Sequence, residues 1–191
     1  MKKTALLLVT LFCFSGCAGT QLISRYDEVI DRGIMEFAER FNTHVKNMAD
    51  FAGKPEGTYE ANLTTYNGLE SKLDVLITRA SAFSDGEGCA LEKKVFDRVK
   101  TIMKTDLPAG IQLAETGSSG TVDGCNERLL TLVKQQLAAI RTIHKETDKC
   151  GNSNLSCLRP ATAKTALAIA NQSINAVAVV ETAKKQQGGK Q

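Results

Sequence analysis

From Ile23 to Ala52 the apolar residues of this chain return every three or four positions: Ile23, Tyr26, Ile30, Ile34, Phe37, Phe41, Val45, Met48 and Ala52. That interval is the repeat of an α-helix with one face turned to a core. The same interval recurs in each later segment. Residues 57–84 carry Tyr59, Leu63, Tyr66, Leu69 or Glu70, Leu73, Ile77, Ala80 and Phe83 on one stripe, and residues 89–105 carry Leu91, Val95, Val99 and Ile102. A fourth segment, 126–149, repeats it with Leu129, Leu132, Val133, Leu137, Ile140 and Ile143, and an alanine-rich fifth, 158–186, with Leu167, Ala170, Ile174, Val177 and Ala178. No stretch sustains the period-two alternation of a half-buried strand. The expected fold is therefore all-α: an elongated bundle of four to five mostly antiparallel helices, stapled by disulfides.

The breaks fall where helices stop. Gly53 and Pro55 end the first segment, Asp85-Gly86-Glu87-Gly88 reads as a turn, and Pro108 ends the third helix because proline lacks an N–H and clashes with the preceding turn. Asp123 is placed to cap the fourth helix, and Cys150-Gly151-Asn152-Ser153-Asn154 breaks it from the fifth. A single domain is expected over residues 22–185. The segment from Lys184 onward reads as frayed and solvated, with 186–191 a disordered tail.

Ahead of the first helix stands MKKTALLLVTLFCFSGCAGT. Two lysines precede an apolar run from Ala5 to Phe14, and small residues follow. Ten residues of helix reach about 15 Å, half of what a bilayer core of about 30 Å requires. The run is thus a cleaved signal of residues 1–16 rather than a membrane span. Phe14-Ser15-Gly16-Cys17 resembles the lipobox of bacterial lipoprotein precursors, with Phe14 where an aliphatic residue is usual. The resemblance implies cleavage before Cys17, acylation of its thiol and amine, and a lipidated tether over 17–21. Ala18 and Gly19 follow the cysteine, which by the same resemblance favours the periplasmic face of the outer membrane. Ordinary cleavage after Ala18 would instead release a soluble periplasmic protein.

Four cysteines then remain, Cys89, Cys125, Cys150 and Cys157, enough for two disulfides in an oxidising compartment. Cys125 and Cys150 bracket a helix of about 25 residues and should lie roughly 37 Å apart, whereas a disulfide needs Cα atoms within about 7 Å. A helical hairpin brings Cys150 to Cys157. The expected pairs are Cys89–Cys125 and Cys150–Cys157, with Cys89–Cys150 and Cys125–Cys157 as the rival. The preferred pairing makes the third and fourth helices parallel.

Composition and motifs narrow the chemistry. The formal charge of +3 falls by two when Lys2 and Lys3 leave, which gives nucleic acid no electrostatic footprint. Aromatic residues are 5% with no Trp, so stacking platforms for sugars or rings are scarce. No nucleophile elbow, phosphate-binding glycine loop, C-x-x-C pair or E-x-x-H motif is present. His44 lies on or beside the first stripe and His144 near the end of the fourth, where a cation would suit the helix dipole. The two could meet across the bundle, yet packing is the simpler role for each, as it is for Tyr59 and Tyr66. No catalytic residue, metal or cofactor is expected. The reading is a membrane-anchored envelope lipoprotein that binds or scaffolds a protein partner, with a bundle carrying a small ligand or metal as the alternative.

Overall fold

The computed structural model describes residues 24–83, 90–106, 126–151 and 154–188. Among these residues, five α-helices pack against one another: α1 (Glu28–Asp50), α2 (Tyr59–Phe83), α3 (Ala90–Asp106), α4 (Glu127–Thr142) and α5 (Pro160–Gly188). A 3₁₀ turn (Pro55–Gly57) joins α1 to α2. A π-turn (Ile143–Thr147) prolongs α4, and two-residue strands β1 (Lys149–Cys150) and β2 (Leu155–Ser156) form a small antiparallel pair before α5. The expected helical bundle is what forms. Among the described residues, the hairpin is a departure from helix that periodicity did not announce.

The first helix begins later than its apolar repeat. Asp27 takes an extended conformation and its carboxylate accepts the N–H groups of Val29 (2.8 Å) and Ile30 (3.3 Å), an N-cap that starts α1 at Glu28. The other end behaves as expected: Gly53 turns the chain at φ 83°, a left-handed conformation that side chains disfavour. Asp123, Cys89, Cys125, Cys17 and the tether 17–21 lie outside the described residues. At the N-cap position of α4 stands Asn126, whose side chain bonds elsewhere.

Two ends of the bundle are distinguished by what meets there. At the disulfide end, His144 bonds the Gly57 carbonyl and Gly151 lies against Gly53. At the opposite end, Ser24 bonds Glu92, and Asp27 bonds Glu181 and Arg79. Helices α1 and α4 therefore run toward the disulfide end, and α2 and α5 run away from it. The four close a ring in the order α1, α2, α4, α5, each antiparallel to both neighbours. Helix α3 sits outside the ring, mainly on α5 and more lightly on α4. Ile34, Phe37, Phe41, Leu73, Leu129 and Leu158 are among the largest side chains of the core. Among the described residues, no helix is long and apolar enough to cross a membrane.

Two expectations about faces are corrected. Among the described side chains of α3, Glu92, Phe96 and Val99 are buried, while Leu91 and Val95 are half-buried and Ile102 is exposed. The helix is turned by about one residue, because Glu92 has an ionic partner inside the bundle. On α5 the tail was expected to fray from Lys184. Instead the helix runs to Gly188 and Lys184 is 3% exposed. Ile174, Val177, Glu181 and Lys184 continue one three-to-four spacing, so the polar pair is carried inward with the apolar stripe.

Candidate functional site

At the disulfide end two histidines and two tyrosines converge from three elements. Tyr66 on α2 is fully buried, and its hydroxyl donates to His144 Nδ1 at 2.9 Å. His144 Nε2–H donates in turn to the Gly57 carbonyl at 2.9 Å. A carbonyl can only accept, so it fixes the tautomer: Nε2 holds the proton and Nδ1 receives the phenol's. The π-turn helps to aim this ring. Its i→i+5 bond, Asp148 N–H to the Ile143 carbonyl at 3.0 Å, closes the widened turn that contains His144. An added Cβ on Gly57 would meet the Phe51 carbonyl oxygen at 2.1 Å, so only glycine at this position brings its own carbonyl to the imidazole.

His44 stands edge-on to Tyr66, with ring centroids 4.6 Å apart. Burial, aided by His144, lowers its pKa to about 4. Burial also lowers His144, against the opposing pull of the Gly57 carbonyl, and pushes the Tyr66 phenol up. Both imidazoles are thus neutral at pH 7, and the cationic role by the helix end is not the one His144 plays. The histidines do meet, with Tyr66 between them. Both nitrogens of His144 are already bonded, which leaves it no lone pair for a metal. Among the described residues no three His, Cys, Asp or Glu side chains gather into a metal site.

Beside this cluster an open groove of about 580 Å³ runs between α1 and α2. Phe37, His44, Met48 and Leu69 line its apolar part, and Arg40 and Lys72 flank it. His44 Nε2 is buried with no hydrogen-bond partner among the described residues. Gly68 adds to the opening, since a Cβ built there meets nothing within 4 Å. The volume is in the range of small-ligand pockets, and the mixture of apolar floor and polar flanks also suits a partner's side chains.

The opposite end holds a buried ionic network that periodicity missed. Lys184 Nζ lies 2.8 Å from Glu181 Oε1 and 3.4 Å from Glu92 Oε1. Glu181 also accepts the backbone N–H of Asp27 at 3.0 Å and the amide of Asn126. Glu92 accepts the backbone N–H and hydroxyl of Ser24 at 3.3 and 2.8 Å. Arg79 of α2 reaches the Asp27 carboxylate at 2.7 Å. The signal in the sequence was position: Glu92 shares the spacing of Phe96 and Val99, and Glu181 that of Val177.

Of the disulfides, Cys150–Cys157 is present, with Cα atoms 5.9 Å apart across the β hairpin. The pairing Cys89–Cys125 and the lipidation of Cys17 fall outside the described residues. No family model matches the chain, and no curated protein or solved structure matches it.

Proposed function

We propose that this chain is a lipid-anchored envelope protein that binds a protein partner through the α1–α2 groove, without catalysis. The groove carries the reading: it places an apolar floor and an unpartnered buried imidazole nitrogen next to flanking charges. Support for the non-catalytic part comes from the titratable groups themselves. His144, Glu181 and Lys184 are engaged in bonds that hold helices together. Phe14-Ser15-Gly16-Cys17 supports the anchor. Several acyl chains, at about 0.8 kcal/mol per buried methylene, would hold such a protein firmly at a bilayer where one chain alone is marginal.

The same groove favours one second reading, a small amphipathic ligand in place of a protein side chain, because its volume suits either. Intact mass of the mature chain tests the anchor: an acylated Cys17 is expected, and a lipid-free chain starting at Gly19 refutes it. A photo-crosslinker at Thr65, which lines the groove, tests the binding. Saturable capture of one envelope protein, abolished by Gly68→Trp, is expected. A small molecule co-purifying with the chain and displaced by Gly68→Trp would favour the second reading.

A further inference from the structure

We propose that the outward face of α3 lies on the anionic headgroups of the phospholipid bilayer that holds the chain, leaving the α1–α2 groove turned toward the compartment. The inference rests on the reading of Cys17 as the lipid-bearing residue.

Charge is the first observation. Lys93, Lys94 and Arg98 are exposed on α3, and Lys100 is half-buried with its ammonium 5.9 Å from the Phe96 ring. None of the four forms an ion pair with an acid among the described residues. Between Leu91 and Ile102 the acids are Glu92, turned inward onto Lys184, and Asp97, the one that is exposed. Four cations against one exposed acid leave an excess of three, as large as the +3 of the whole sequence. Positive charge on this scale is attracted to an anionic membrane surface and fades within a Debye length.

Attachment is the second. Ser24, the first described residue after Cys17, is bonded by both its N–H and its hydroxyl to Glu92 in the first turn of α3. From Cys17 to Ser24 the extended chain reaches at most about 25 Å. Helix α3, with 17 residues, is about 26 Å long. The first turn of α3 is therefore within one tether of the lipid. Position is the third. Helix α3 rests on the α5–α4 side of the ring, and the groove opens on the α1–α2 side, opposite. A soluble polyanion would match the charge, but it would give no role to the bond that ties the lipid-bearing segment to this helix.

The test is lysine acylation footprinting of the full mature lipidated chain in vesicles of phosphatidylcholine, alone or mixed with phosphatidylglycerol. On the anionic vesicles, labelling of Lys93 and Lys94 should slow about fivefold and recover at about 1 M salt. Labelling of Lys54, beside the groove residue Phe51, should not change. In Lys93→Glu/Arg98→Glu, the slowing at Lys94 should disappear while helicity is kept. Equal rates on both vesicles, or slowing at Lys54 instead, would overturn the proposal. Slowing that follows added polyphosphate and not phosphatidylglycerol would also overturn it, in favour of a soluble polyanion. The same digests report the mass of the Cys17 peptide, so a missing lipid, which defeats the anchor reading, is distinguished from a lipidated chain with the wrong face down.

Discussion

The two ends of the bundle solve the same problem with opposite chemistry. Each must join several chain segments without exposing their backbone groups. The disulfide end does it mainly with neutral groups, a phenol, two uncharged imidazoles and a carbonyl, together with the Asp148 carboxylate on the Arg159 N–H at 3.0 Å, and is closed by Cys150–Cys157 at a sequence separation of 7. The opposite end does it with charge. Ser24 meets Glu92 and Asp27 meets Glu181, at separations of 68 and 154 residues. Neutral hydrogen bonds can be buried at modest cost, and a covalent link removes freedom from the unfolded chain. Buried ions must all be present together, since each one left alone is expensive.

That contrast is broken most directly at Lys184. Lys184→Met leaves Glu181 and Glu92 buried without their shared cation, and should cost about 3–5 kcal/mol of unfolding free energy by urea titration. Adding Glu181→Gln and Glu92→Gln should return most of that loss, because the glutamine carbonyls still accept from Asp27 and Ser24. If the triple variant stays as unstable as the single one, charge pairing is not what matters at this end.

Acid should act on the other end. Native His44 has a pKa of about 4, below the ordinary value of 6.5, and His144 is shifted the same way. Between those values the unfolded chain binds more protons than the folded one, so stability falls as pH drops from about 6.5 to about 4. His44 alone accounts for about 3 kcal/mol of the fall. His44→Gln should flatten the pH profile over that window, and an unchanged slope would place the acid lability elsewhere.

Smaller effects sharpen the comparison. Cys150→Ser/Cys157→Ser opens a short loop and should cost about 2 kcal/mol, read as a lowered midpoint without loss of helix signal. Gly68→Ala belongs to neither end. Its added Cβ meets nothing, and alanine is the better helix former, so stability should rise by about 1 kcal/mol. A loss there would mean that the groove is tighter than its walls indicate.

By itself the sequence determined which stretches are helices, because a three-to-four repeat over five segments leaves no other period to satisfy. It also favoured the bridge Cys150–Cys157 over the rival Cys89–Cys150, since a short connection keeps the two cysteines close, and the bridge is present. The inward residues of α4 were legible for the same reason: Leu129, Leu132, Val133, Leu137, Ile140 and Ile143 are all buried. Tertiary structure alone decided the rotation of α3, the burial of Lys184 and the meeting of His44 with His144 around Tyr66. A hydrophobic stripe records that a face is buried, and not against what. Lys184 is tolerable inside only because Glu181 and Glu92 arrive there, from its own helix and from one 92 positions earlier in the chain. The pairing with Glu92 depends on a distance in space that no local spacing encodes, and it helps to set which polar residues lie within the bundle.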